Sequence, residues 1–160
     1  MKHLKHFEQQ QINNKLDNIN VIVDSYLETA LWISDDRDEF DNKTIYDFSY
    51  SARKQAESEI KWFINNAGDI FDEVSTESIG CDLWLSRNGR GSGFFDRDGY
   101  DKDSVDFLMH LSTILGEIDI YVNDKKNIDF DVSSEKYKNF DVEKYKKEME
   151  FQKIIKKYKL

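Results

Sequence analysis

The fourteen residues from Trp84 to Arg97, WLSRNGRGSGFFDR, bring together three glycines, three arginines and three large aromatics. Arg87, Arg90 and Arg97 could offer guanidinium donors to a carboxylate or phosphate ligand, because the planar fork matches either group. Asn88-Gly89 is a strong two-residue hairpin signal, and Gly91 and Gly93 add backbone freedom that a plain surface turn does not need. The same arginines have a second use open to them, an internal salt-bridge network with Asp82, Asp96 and Asp98. Trp84, Phe94 and Phe95 read as core, since alternation along the flanking strands buries one face. The segment contributes Arg87, Asn88, Arg90, Asp96 and Arg97 as candidate partner-binding residues.

A second group with chemistry in it is Asp35, Asp36, Asp38, Glu39 and Asp41, five carboxylates within seven residues. Such a run could imitate a row of nucleic-acid phosphates and offer itself to a basic groove on a protein; the plainer reading is a solvated loop. These five complete the candidate partner-binding set.

Other constellations match known chemistry poorly. Asp96, Asp98, Asp101 and Asp103 have the alternation of a calcium loop, but the sixth and twelfth positions counted from Asp96 are Asp101 and Phe107 where glycine and glutamate are required. Asp101 or Asp103 is better placed to cap a helix. His3, His6 and His110 form no recognisable metal spacing, and RNGRGSG lacks the closing Lys-Ser/Thr of a phosphate loop. Serines are plentiful, but none sits in a nucleophile elbow. No metal, cofactor or catalytic group is therefore expected.

The 160 residues carry a formal net charge of −9, with 39% hydrophobic and 14% aromatic residues. That length and composition suit one domain with a single core over residues 1–160. The charge disfavours nucleic acid and anionic membranes and favours basic proteins. Residues 134–160 hold nine lysines against five acids, a net of +4, which leaves 14 basic and 27 acidic residues before them, a net of −13. The molecule is expected to be a strong electrostatic dipole. Cys81 is the only cysteine, so no internal disulfide forms and a reducing cytoplasm fits. MKHLKHFEQQQ lacks the apolar run of a signal peptide, and no stretch is long enough to span a membrane.

The elements that must position these groups follow from periodicity and caps. Helices are expected at Leu4–Asn14, from Asn18 to about Ser34, from Ser49 to about Asn66 ending at Gly68, and from Asp101 or Asp103 to Leu115 ending at Gly116. A short helical turn around Ile70–Val74 is also expected. The core faces are Ile19, Ile22, Val23, Tyr26, Leu27, Ala30, Leu31 and Ile33, then Ala52, Ala56, Ile60, Phe63 and Ile64, then Val105, Leu108, Met109 and Leu111. Strands are expected at Ile79–Arg87, Ser92–Phe95, Ile118–Val122 and Ile128–Val132, forming two hairpins. From Ser133 or Ser134 the chain turns helical, with Tyr145, Met149, Ile154 and Tyr158 on one face. The expected fold is α+β, a small antiparallel sheet of three to four strands packed with four to five helices. The core spans about residues 18–132 and a long basic C-terminal helix covers about 134–160.

YLETALWISDD (26–36), CDLWLSRNGRGSGFFDRD (81–98) and GEIDIYVND (116–124) resemble, in order and spacing, a widespread group of small phage and prophage proteins. That group has a helix ending in ALW, a segment DFWLTRNGHGAGFWDR and a strand GE-DLYV-D. The chain departs from this pattern at Arg90, where the group has His, and at Phe95, where it has Trp. The resemblance implies an origin in a mobile element and action in the cytoplasm of a bacterial host. In size, acidity and proline-free, Lys/Asn/Ile-rich composition the chain is also similar to staphylococcal anti-CRISPR proteins. This implies a protein that binds and inhibits a type II CRISPR effector nuclease, alone or with its guide RNA, without catalysis. The alternative is a phage protein that binds or hydrolyses a phosphate or nucleotide ligand through the Arg/Gly hairpin.

Overall fold

Ile19, Ile22, Val23, Tyr26, Leu27 and Ala30 recur at helical spacing, and all are buried on one face of helix α1 (Ile19–Ile33). The computed structural model describes residues 17–34, 37–71, 74–131 and 135–158. The expected helix at Leu4–Asn14, together with Asp35, Asp36, His3, His6, Val132, Ser133 and Ser134, lies outside the described residues. After α1 comes a single turn, α2 (Arg37–Phe40), whose Phe40 is buried. A 3-10 turn at Ile45–Asp47 follows, closed by a reciprocal cap between Thr44 and Asp47.

Helix α3 (Tyr50–Ala67) starts at Ser49, whose hydroxyl accepts from the Ala52 amide, and stops at Gly68, where φ is +67°. It buries the expected Ala52, Ala56, Ile60, Phe63 and Ile64, and also Glu59. A 3-10 turn at Gly68–Phe71 leads to α4 (Thr76–Arg87), capped by Ser75. Helix α5 (Lys102–Leu115) is capped by Asp101, which accepts from the Ser104 amide, and ends at Gly116 with φ +77°. Strands β1 (Ile120–Val122) and β2 (Ile128–Phe130) pair antiparallel with Ile120 opposite Phe130 and Tyr121 opposite Asp129. After a 3-10 turn at Lys136–Asn139, α6 (Val142–Tyr158) closes the chain.

The expected sheet of three to four strands is therefore wrong. Among the described residues there are six α-helices and one two-stranded sheet, so the protein is mainly helical. The error lies in Ile79–Arg87, which is helix α4, and in Ser92–Phe95, which is a loop running into a 3-10 turn at Phe94–Asp96. Ile79, Leu83 and Arg87 are buried at four-residue intervals, and Gly80 and Trp84 fill the same stripe. A strand would have placed Leu83 and Trp84 on opposite faces.

Helices α1 and α4 make the most extensive contact in the fold, and Gly80 is where they meet. A Cβ there would strike the Ile22 carbonyl and stand 2.8 Å from the Tyr26 amide nitrogen. Helix α3 packs on α1, α5 and β2. At their centre Phe63 stacks on Phe94 with ring centroids 5.5 Å apart, while Tyr26 meets Trp84 edge-on at 5.0 Å. The stripe expected on the C-terminal helix holds for half its length. Tyr145 and Met149 are packed against the core, but Ile154 is 51% exposed. No helix among the described residues is long and apolar enough to cross a membrane.

Candidate functional site

The segment richest in glycine and arginine turns out to be a helix terminus and the loop that locks it down. The Asn88-Gly89 pair does not make a hairpin. Asn88 ends α4, Gly89 takes φ +59°, the Arg90 amide donates to the Leu85 carbonyl at 3.2 Å, and the Gly89 amide to Ser86 at 3.5 Å. That pair of bonds over a left-handed glycine is a Schellman cap, which satisfies carbonyls the helix end would otherwise leave open. Asn88 adds a clip, donating to Trp84 O at 3.1 Å and accepting from the Ile118 amide at 2.8 Å. Gly93 has φ +131°, and a Cβ on it would lie 3.0 Å from the Asp82 carbonyl oxygen. The loop can therefore press back on α4 and deliver Phe94, fully buried, into the core.

Arg87 is 4% exposed and is not displayed to any ligand. Its Nη1 donates to Glu59 Oε2 at 2.5 Å and to the Tyr26 hydroxyl at 2.6 Å; Nε and Nη2 reach the carbonyls of Gly116 and Leu115 at 2.7 and 2.9 Å. Burial opposes the guanidinium charge, but Tyr26 and Glu59 beside it more than restore it, so its pKa stays above the ordinary value. The Tyr26 hydroxyl is held protonated by burial, which outweighs the pull of Arg87. Arg97 donates through Nε to both oxygens of Asp82, at 3.0 and 2.8 Å. Asp82 nevertheless has a raised pKa, because its burial outweighs the arginine. Asp96 and Arg90 are exposed, as are Asp38, Glu39 and Asp41 beside buried Phe40.

Trp84 and Phe94 are core as expected, whereas Phe95 is 49% exposed. Cys81 is half-buried on α4, not inside a strand. Sequence reasoning did not find Glu59. Its signal was available: an acid in the middle of the stripe Ala52, Ala56, Ile60, Phe63 must have a buried partner.

Between the α4 cap and the strands lies an open groove of about 600 Å³, lined by Asn88, Gly89, Arg90, Glu117, Ile118, Asp119 and Asp131. Glu117, Asp119 and Asp131 are all exposed. The Asp131 carboxylate accepts from the Asp119 amide at 2.8 Å, and Asp119 from the Ile120 amide at 2.9 Å, so both are held at the rim. Three carboxylates against one guanidinium make the groove attractive to a cation and repellent to a phosphate. Comparison of the chain with protein-family models, with curated proteins and with solved structures finds no match.

Proposed function

We propose that the protein is a mobile-element inhibitor that binds a basic surface of a type II CRISPR effector nuclease, without catalysis of its own. The groove beside the α4 cap carries this reading: Glu117, Asp119 and Asp131 outnumber Arg90, while Arg87 is buried against Glu59 and Arg97, though exposed, is paired with Asp82. Asp38, Glu39 and Asp41 extend the same sign of charge elsewhere on the surface. Effector nucleases of this class hold guide and target in positively charged channels, so an acidic body can compete for those lysines and arginines. The choice of this target class rests on the sequence resemblance. The rival reading, a phosphate or nucleotide held by the arginine segment, is disfavoured by the sign of the groove.

The test is cleavage of a linear target DNA by guide-loaded nuclease, with and without the purified chain. Inhibition near one-to-one stoichiometry is expected. Reversal of Glu117, Asp119 and Asp131 to lysine should weaken it about tenfold or more, corresponding to about 1.4 kcal/mol. Undiminished cleavage at excess protein overturns the target, and inhibition unaffected by the reversal overturns the site. A rise in melting temperature with nucleotides would favour the rival.

A further inference from the structure

Trp32 is 72% exposed, on the side of α1 opposite its core stripe. It is not an isolated surface residue. With Ser25, Glu28 and Thr29 it forms one edge of an open groove of about 440 Å³, whose other edge is Glu77, Ser78 and Cys81 on α4, with Arg97 at its end. The two edges are tied, since the Ser25 hydroxyl donates to the Glu77 carbonyl at 2.5 Å and Gly80 allows α1 and α4 to touch.

Glu28 lies one turn before Trp32, a spacing that makes the two side chains neighbours on the helix surface. Among the described residues neither Glu28 nor Glu77 takes part in an ion pair. Arg97, the cation in the lining, is matched by Asp82. An exposed indole face flanked by two carboxylates that no described residue neutralises has the components of a site for a guanidinium. The ring takes the planar cation on its face, and a carboxylate takes the N–H edge.

We propose that this α1–α4 groove is a docking site for an arginine side chain on a basic segment of a partner protein. Arginine is favoured over lysine because it alone can stack and bond in its own plane at once. An aromatic anchor of this kind is also what interfaces concentrate their binding energy on. The inference deepens the reading of the chain as a binder of basic protein surfaces, and it is tested without any nuclease.

The full chain is titrated with acetyl-Gly-Arg-Gly-Arg-Gly-amide and with its lysine and glutamate counterparts while tryptophan emission is followed. Trp84 is buried and Trp62 is packed against Tyr137, so Trp32→Phe identifies the responding signal. The arginine peptide should change the emission and bind about threefold or more tighter than the lysine peptide. Glu28→Gln with Glu77→Gln should weaken it about tenfold, whereas reversal of Glu117, Asp119 and Asp131, beside the other end of α4, should leave it within about twofold. An equal response to the glutamate peptide, unchanged binding by the double glutamine variant, or a response to phosphatidylcholine vesicles in place of the peptide overturns the site. If the peptide binds while nuclease cleavage is unaffected, the groove stands and the proposed target falls.

Discussion

Arg87 and Glu59 meet at 2.5 Å with their side chains 1% and 2% exposed, an ion pair sealed inside the three-helix junction of α1, α3 and α4. Arg87 also holds the Tyr26 hydroxyl and two carbonyls at the end of α5, so one side chain joins four helices. Arg87→Ala leaves a buried carboxylate without its counterion and should cost about 3–5 kcal/mol in urea denaturation. The double change Arg87→Met, Glu59→Leu should recover much of that loss, because no unpaired charge is then left at this junction. An alanine variant within about 1 kcal/mol of the parent would mean that water reaches Glu59 and the pair is not sealed.

Gly80 faces the Ile22 carbonyl and the Tyr26 amide across the α1–α4 contact. On helix propensity alone, Gly80→Ala would stabilise by about 1 kcal/mol. The clash of the new methyl with two backbone groups should win and destabilise by about 1–3 kcal/mol, since helices α1 and α4 must separate. A thermal melt separates the two outcomes by sign. A more stable alanine variant would show that the helices are further apart than described.

The long periodic segments were legible because burial repeats every three or four residues for several turns in α1, α3 and α5, and the Ser49 and Asp101 starts and the Gly68 and Gly116 ends of α3 and α5 are explicit. Helix α4 was not, for two physical reasons. Ile79, Cys81, Leu83 and Leu85 alternate as well as any strand, and Asn88-Gly89 supplies the left-handed glycine that a hairpin and a Schellman cap both need. What decides between them is upstream: Ser75, whose hydroxyl accepts from the Ser78 amide, starts a helix. The arginines were legible as a cluster but not by role. Arg87 bonds an acid 28 residues away, a pairing that only the packing of α3 on its neighbours creates.

The Asp82–Arg97 pair should make stability depend on pH in an unusual direction. Asp82 has a folded pKa above its ordinary 3.8, because burial outweighs the help from Arg97. The folded state therefore holds the proton more tightly, and stability falls as pH rises from that value through the folded pKa, then levels. Arg97→Ala removes the term that opposes the shift, so the fall should extend to higher pH. Its cost should be about 1–2 kcal/mol at pH 7, kept small by the exposure of Arg97, and should shrink toward pH 4. Denaturation of parent and variant across that range checks this, and a cost independent of pH would refute the assignment.

His110 lies on α5 with its ring 3.8 Å from Tyr145 of α6 and 5.6 Å from Phe140. Its Nε2 is buried with no hydrogen-bond partner among the described residues, and burial holds its pKa below 6.5. Because the unfolded chain protonates first as pH falls, the contribution of this contact is complete above pH 6.5 and is lost downward through the folded pKa. Amide exchange in α6, corrected for intrinsic rates, should accelerate as pH falls from 7.5 to 5 in the parent. His110→Phe keeps the stacking but cannot titrate, so its α6 exchange, corrected for intrinsic rates, should not change. Parallel behaviour of the two proteins would place the acid sensitivity elsewhere.

Among the described residues Arg90 is the single cation lining the groove with Glu117, Asp119 and Asp131. If the groove receives a positively charged partner, Arg90 repels it, and Arg90→Glu should strengthen binding, chiefly by faster association at low salt. If Arg90 instead reaches a carboxylate on the partner, the same change should weaken binding by slowing nothing at encounter and hastening release. Association and dissociation measured against immobilised nuclease at two salt concentrations distinguish the two. A gain of about threefold or more in the association rate that fades at high salt is the expected result.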